Sequence, residues 1–219
     1  MIFNLRLLTI LQVCLIVYSL RDVVSLKRNL FSKVVGTNRG FLSQNTERQE
    51  ISDVIEALEN INPNPNPCEL FKYGNSSLSG DWRLLYTNSA DVLLLGVLPG
   101  IEPSQIYQNI NNDGTEIVNI VEIQPKIAPA ANILGQTTMA RLRVFASSEV
   151  VSPKEIELKF VRSSYEPQKL FGLDVSQIPP LSVNFPNFQG IPTGTITNTF
   201  VDEEIRICRA LSSIFVLVK

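Results

Sequence analysis

The stretch that decides the fold is the carboxyl-terminal sequence GTITNTFVDEEIRICRALSSIFVLVK, residues Gly194–Lys219. It contains three short segments with the composition and alternation typical of strands: Thr195–Thr199, Ile205–Cys208 and Ile214–Val218. An acidic tip at Asp202–Glu204 separates the first two segments, and a short turn separates the last two. Three short strands joined by tight turns predict an antiparallel meander or the closing edge of a barrel.

A second strand pattern lies far upstream, in LSGDWRLLYT at Leu78–Thr87. A glycine two residues before the only tryptophan opens this segment. If the strand is regular, Trp82, Leu84 and Tyr86 lie on one face, because alternate side chains of a strand point the same way.

Together, LSGDWRLLYTNS (residues 78–89) and VDEEIRICRALSSIFVLVK (residues 201–219) resemble the plastid lipid-associated protein family, also called PAP/fibrillin. In that family a Gly-x-Trp-x-Leu-x-Tyr-Thr strand opens the domain, and an acidic-acidic-x-Leu/Ile-Arg-Ile-x-Arg segment with a Phe-Val-Leu strand closes it. The resemblance covers roughly residues 45–219. The signature positions are Gly80, Trp82, Thr87, Asp202, Arg206 and Arg209. One departure is the turn Arg209-Ala-Leu-Ser-Ser, where many members have an Arg-Gly-Asp-x-Gly-like turn.

Composition excludes several classes of protein. The formal net charge is −2 and the sequence pI is about 5.3, so the chain lacks the basic surface of a nucleic-acid-binding protein. The absence of histidine removes imidazole bases, Ser-His and Cys-His nucleophile pairs and histidine-ligated metals. The acidic tip at Asp202–Glu204 is expected to be a solvated turn. Carboxylate-only and lysine-based chemistry are not excluded by composition. We predict no catalytic residue, no metal site and no cofactor.

The cysteines Cys14, Cys68 and Cys208 have no CxxC or zinc-type spacing. Cys14 lies in the predicted leader. We expect Cys68 and Cys208 to be ordinary buried thiols, with a disulfide between them as the alternative.

The N-terminus is typical of two targeting signals in series. The apolar run Leu7–Leu20 is shorter than the roughly 20 residues that span a bilayer, which predicts a signal peptide over residues 1–25. Residues 26–44 are basic, contain no acidic residue and predict a transit segment. This bipartite arrangement is used to enter plastids bounded by extra membranes. A secreted protein and an N-terminal membrane anchor are the alternatives, and residues 45–219 are the predicted domain.

One amphipathic helix is expected ahead of the first strand. Thr46 is a candidate cap, an apolar stripe runs from Ile51 to Ile61, and the proline-rich segment 62–67 ends the helix. We predict that this helix packs across one mouth of the barrel, with docking on a partner as the alternative.

Alternating patterns predict further strands at Gln105–Ile110, Thr115–Ile123, Thr137–Ala146 and Glu155–Arg162. The apolar run Val92–Pro99 is either a core or cavity-lining segment or an exposed lipid-contacting loop. The proline-rich region Tyr165–Pro192 has the length of a lid or binding loop. With about eight strands, the fold class is mainly β: a small lipocalin-like antiparallel barrel with one N-terminal helix.

The tryptophan strand and a late arginine are also similar to the lipocalin arrangement, in which an arginine packs on a tryptophan at the barrel base. Arg206 and Arg209 are the candidates for this contact, and strand parity places them on opposite faces. The side chains expected to face inward, and to line a cavity or fill a core, are Leu84, Tyr86, Leu142, Val144, Leu158 and Phe160.

The resemblance implies a non-catalytic plastid protein that binds or sequesters hydrophobic small molecules such as carotenoids, prenylquinones or acyl lipids. It also implies association with a peripheral membrane or lipid-particle surface, at thylakoids or plastoglobules. The first alternative is a structural coat or scaffold of lipid particles, or an accessory partner of a prenylquinone-synthesis enzyme, without a ligand cavity. The second is an enzyme of isoprenoid or lipid metabolism.

Overall fold

The protein is described here from a computed structural model that covers residues 22–74, 76–97, 99–126, 138–185 and 193–219. The apolar run Leu7–Leu20 and Cys14 lie outside the described residues. Within the described part of the chain, no helix is long and apolar enough to cross a membrane.

Ten antiparallel strands are present in the described residues. They are β1 (Gly80–Thr87), β2 (Ile101–Ile110), β3 (Glu116–Pro125), β4 (Met139–Val150), β5 (Glu155–Leu170), β6 (Leu173–Asp174), β7 (Leu181–Asn184), β8 (Thr193–Val201), β9 (Ile205–Ala210) and β10 (Ser213–Val218). Eight of them pair in the order β4-β3-β2-β1-β10-β9-β8-β5, and β5 pairs with β4 to close a barrel. The predicted lipocalin-like barrel and its closing meander β8–β10 are confirmed.

The region Tyr165–Pro192 differs from the expected irregular loop. Strand β5 continues to Leu170 because β4 hydrogen-bonds it along its whole length, past Pro167, which pairs with Ala140 at a bulge. The short strands β6 and β7 pair with this outer part of β5. Residues 186–192 of the predicted loop lie outside the described residues.

The barrel wall separates two apolar clusters. Side chains such as Trp82, Leu84 and Ile156 point inward and form the interior cluster. On the opposite face of β8, β9 and β10, Phe200, Ile207 and Val216 are fully buried although they point out of the barrel. An apolar outer face of this kind needs a covering layer.

Two helices supply that layer. Residues 22–34 form α1, and α2 is Asn45–Asn60. The predicted apolar stripe of α2 is buried. The helix begins at Asn45, one residue before Thr46, and Gln44 is its N-cap. The carboxylate of Glu47 accepts a hydrogen bond from the backbone nitrogen of Gln44. The prediction that a single helix crosses a barrel mouth is wrong: α2 and α1 lie along the outer wall, because β8–β10 carry apolar residues there.

The segment 22–44 makes extensive contacts with the barrel. Leu30 is fully buried, and Lys27 forms ion pairs with Asp202 and Glu204 at the turn between β8 and β9. Gly40 has a φ of 99°, and a Cβ there would lie 2.0 Å from the carbonyl oxygen of Thr87. The packed unit therefore includes residues 22–44, while the boundaries proposed for targeting and processing stay predictions.

The two ends of the barrel differ. At the end where β1 begins and β9 begins, which we call the base, the 3₁₀ helix Pro67–Tyr73 packs Phe71 and Cys68 into the interior cluster. At the other end, the mouth, β1 leads into the short helix α3 (Ala90–Leu93) and the 3₁₀ turn Leu94–Val97. The interior is thus closed below and covered above by a short helical segment.

Candidate functional site: an apolar cavity inside the barrel

A cavity of about 370 Å³ lies inside the barrel, between the base and the helical segment at the mouth. This volume is at the lower end of the range for pockets that hold one small ligand. Its wall is mainly apolar, because residues of seven strands meet there. Its apolar lining side chains include Leu84, Ile106, Val121, Leu158, Phe160, Ile196, Phe215 and Leu217.

The helical segment 90–97 covers the cavity at the mouth. Val92 and Leu95 line the cavity, whereas Leu94 is 59% exposed. The run Val92–Pro99 therefore serves in part as cavity lining and in part as exposed apolar surface, which were the two readings left open by the sequence. Leu98 lies outside the described residues.

Of the six residues predicted to face inward, Leu84, Leu158 and Phe160 lie on the cavity wall. Leu142 and Val144 are half-buried residues of β4 outside the set that lines this cavity. Whether any of these residues binds a ligand stays a prediction.

The predicted placement of Tyr86 is wrong. A β-bulge between Leu84 and Tyr86 puts two residues of β1 against one of β10, so alternation is broken and Tyr86 points outward. Its side chain packs with the helices and with Val216 in the outer cluster. A single extra residue in a strand leaves no mark in an alternating sequence, which explains the error.

Polar residues lie at the base side of the cavity. Gln108 and Asn119 line it, and Nε2 of Gln108 donates a hydrogen bond to Oδ1 of Asn119 at 2.8 Å. The Arg206 guanidinium donates to Oε1 of Gln108 at 2.6 Å and to Oδ1 of Asn198 at 2.7 Å. Sequence analysis missed Gln108, Asn119 and Asn198. The one sequence feature that indicates these residues is that each is polar at a strand position where alternation predicts a side chain facing into the barrel.

The cation on Trp82 is not one of the two predicted arginines. Lys219 lies over the Trp82 ring, with its Nζ 4.9 Å from the ring centroid. The indole nitrogen of Trp82 donates a hydrogen bond to the carbonyl oxygen of Leu78 at 2.8 Å. The arginine prediction fails because Arg206 is directed to amide groups inside the barrel and Arg209 points outward.

The other signature residues have structural contacts. Arg209 forms a two-pronged ion pair with Glu59 of α2, with both N–O distances 2.8 Å, and this pairing raises the pKa of Arg209. Asp202 accepts hydrogen bonds from the backbone nitrogens of Glu204 and Ile205. Thr87 donates to the carbonyl oxygen of Ile214, and Gly80 begins β1 with a φ of 114°.

Cys68 and Cys208 are free, buried thiols of the interior cluster, as expected. Burial raises the pKa of the Cys68 thiol to about 11 and also raises the pKa of Cys208. At neutral pH both are protonated and are poor nucleophiles.

Exposed apolar side chains gather at the mouth end of the barrel. The β9–β10 turn carries the fully exposed Leu211, and Leu94 lies in the helical segment. The outer part of β5 with β6 and β7, which we call the flap (residues 165–185), adds exposed Phe171, Leu173, Ile178, Leu181 and Val183. All three segments follow strand ends at the mouth, so this end of the molecule is apolar where it meets solvent.

Comparison with known proteins gives one family. The PAP_fibrillin family model matches residues 24–218. The chain is 29% identical over 234 residues to plastoglobulin-1, chloroplastic, of Pisum sativum, covering 90% of this chain and 62% of that protein. It is 28% identical over 231 residues to the probable plastid-lipid-associated protein 3, chloroplastic, of Oryza sativa subsp. japonica, covering 89% and 58%. Against the chromoplast-specific carotenoid-associated protein C1, chromoplastic, of an Oncidium hybrid cultivar, identity is 28% over 237 residues, covering 90% and 69%.

The chain thus spans about three fifths of the length of the pea and rice relatives. No solved structure gives a significant match.

Proposed function

Because the chain belongs to the PAP/fibrillin family, we propose that it is a non-catalytic plastid protein that binds small hydrophobic molecules inside its barrel. Reversible sequestration of this kind needs no bond chemistry. The relatives' names describe plastid lipid association and, in one case, carotenoid association, which supports a lipid or another hydrophobic molecule as the ligand class.

The observation that carries this proposal is the cavity of about 370 Å³ with a mainly apolar wall. Moving an apolar chain from water into such a site is favourable by about 25 cal/mol for each Å² of apolar surface removed from water. The cavity's size favours one acyl or prenyl chain over a lipid with two tails. A carotenoid or a long prenylquinone would have to extend through the mouth.

The chloroplastic and chromoplastic relatives support a plastid location for this chain as well. We propose that it enters through the predicted N-terminal bipartite signal, and that the packed residues of segment 22–44 stay in the mature chain, because their removal would uncover the outer wall. N-terminal sequencing of the protein isolated from plastids tests that route, and a mature chain beginning close to residue 1 contradicts it.

A cavity-filling variant tests the binding function. Gly194 lines the cavity opposite Leu158, and a Cβ at this position meets no atom within 4 Å. Gly194→Leu therefore directs a side chain into open cavity space. We expect it to lower the affinity for a bound single-chain lipid by roughly tenfold, as expected when a few apolar groups of the ligand are displaced.

The control is Thr193→Leu, since Thr193 is the exposed neighbour on the opposite face of the same strand. Mass spectrometry identifies and quantifies the small molecules extracted from each purified full-length variant. The same molecules are then titrated back into the protein to measure their affinity. Equal ligand content in both variants contradicts binding in the cavity.

We propose further that the mouth end docks on a lipid surface, since its exposed apolar residues surround the entry to the cavity. The probe is flotation of the full-length protein with vesicles of plastid galactolipids. The double variant Phe171→Glu/Leu173→Glu is expected to float several-fold less, because both side chains are largely exposed on the flap and a charge there is costly at a lipid surface. Tyr73→Glu, equally exposed but at the base, is the control. Flotation that depends on the flap, with no extractable ligand, would favour a coat or scaffold.

A further inference from the structure

Arg206 is a buried cation without a carboxylate partner. Its side chain is fully buried, at 0% exposure. All 21 Asp and Glu residues of the chain lie within the described residues, and none of them forms an ion pair with Arg206. Nε and Nη1 donate to the amide oxygens of Asn198 and Gln108, while Nη2 is buried and has no hydrogen-bond partner among the described residues.

Such an arrangement is unusual for a structural arginine. Buried charges are normally paired with an opposite charge, because removing a lone ion from water is costly and neutral amides offset only part of that cost. A buried donor without a partner adds a further penalty. The positive charge of Arg206 is therefore not balanced by a neighbouring negative charge, and its Nη2 group has no acceptor among the described residues.

This unpaired cation lies next to the cavity. Arg206 points to the same face of β9 as Cys208, which lines the cavity, and Gln108 both lines the cavity and accepts the Arg206 hydrogen bond. The lining residues include one charged side chain, the carboxylate of Asp91 at the mouth. The charged groups beside the cavity are thus a carboxylate at the mouth and a guanidinium at the base.

We propose that the cavity takes a single-chain carboxylic acid head-first, with its carboxylate at the Arg206 guanidinium and its apolar chain directed to the mouth. The carboxylate supplies the missing negative charge and accepts from Nη2. Asp91 disfavours the reverse orientation, because it would place two carboxylates at the mouth. This inference rests on the proposed function and narrows its ligand class to an anionic amphiphile with one tail.

The test compares an acid with its neutral ester. cis-Parinaric acid and its methyl ester share one fluorescent chain, and Trp82, the only tryptophan, is buried in the interior cluster as an energy-transfer donor. We expect the full-length, delipidated protein to bind the acid roughly tenfold more tightly than the ester, as a charge-assisted hydrogen bond would give. Palmitic acid and phytanic acid are then used to displace bound cis-parinaric acid. The stronger competitor shows whether the site prefers a linear fatty acid or a branched isoprenoid acid.

Arg206→Met removes the charge and keeps an apolar side chain of similar length. We expect it to abolish the preference for the acid, so that the variant binds the acid and the ester with equal affinity. Arg209→Met, three residues away on the outer face, is expected to keep the preference. Arg206→Lys is the second variant: it keeps the charge, so it is expected to retain part of the preference even if the methionine variant does not fold.

Each outcome decides a different question. Equal affinities of the wild type for acid and ester overturn the head-group inference but leave the proposed cavity binding intact. Binding of neither probe contradicts the proposed function itself. An acid preference that survives in Arg206→Met overturns the assignment to Arg206.

Discussion

Strand β9 carries two arginines in contrasting surroundings. Arg209 points to the outer wall, where Glu59 of α2 accepts two hydrogen bonds from it. Arg206 points into the barrel, where its hydrogen bonds within the described part of the chain go to neutral amides. On the outer wall, Arg209 thus has a carboxylate partner, whereas the interior contains an arginine without one and an apolar cavity.

This difference supports a structural role for the outer wall and a binding role for the barrel interior. The outer cluster, with α1 and α2 covering β8–β10, has the close packing of a structural core. The interior contains a cavity and a buried guanidinium nitrogen that has no hydrogen-bond partner among the described residues. Both features lower the free energy of unfolding, and both are typical of a binding site. The three predictions below test whether stability resides mainly in the outer wall.

The largest effect is expected from removal of the segment 22–44. Val23, Leu30 and Val34 are buried against the wall, and burying each such side chain is worth about 1.5–3 kcal/mol. A chain that begins at residue 45 is therefore expected to lose about 5 kcal/mol relative to one that begins at residue 22, which approaches the whole stability of a typical domain. Denaturant unfolding of both chains measures this difference. Equal midpoints would show that residue 45 is the true start of the folded unit.

A matched pair of truncations compares the two regions directly. Leu30→Ala, in the outer cluster, is expected to cost about 4 kcal/mol because it opens a new cavity. Leu158→Ala is expected to cost about 2 kcal/mol, since this side chain already borders empty space and loses fewer contacts. Urea unfolding of the delipidated proteins gives both values. A greater loss for Leu158→Ala would contradict the assignment of stability to the outer wall.

The smallest effect concerns the ion pairs that attach α1 to the β8–β9 turn. Burial alone would lower the pKa of Lys27, but its hydrogen bonds and charge interactions with Asp202 and Glu204 raise it. Lys27→Met is expected to lose about 1 kcal/mol at neutral pH. Because the folded pKa lies above the ordinary value of 10.5, this contribution is full below pH 10.5 and disappears as pH rises through the folded pKa.

Thermal unfolding of the wild type and Lys27→Met across this pH range gives the difference between them, so effects common to both proteins cancel. A difference that stays constant above pH 10.5 would mean that Lys27 stabilises α1 by packing instead of by charge.

Alternation and turn residues were sufficient to predict the barrel. The closing meander, the strand that begins at Gly80 and the buried stripe of α2 each depend on local patterns of period two or 3.6, which are legible in one sequence. The cavity lining was harder to predict. Leu84, Leu158 and Phe160 were placed on the wall by parity, but the bulge before Tyr86 reversed the parity of that residue.

The sequence by itself determined the fold class, the family signature and the opposite faces of Arg206 and Arg209, because these depend on spacing along the chain. Tertiary structure alone decided that α1 and α2 cover the outer wall, that Lys219 and not an arginine lies on Trp82, and that Arg206 has no carboxylate beside it. These features depend on which distant side chains meet across the barrel. A cavity and an unpaired charge arise from contacts between residues that are distant in the chain. They therefore produce no periodic pattern that could be recognised in the sequence.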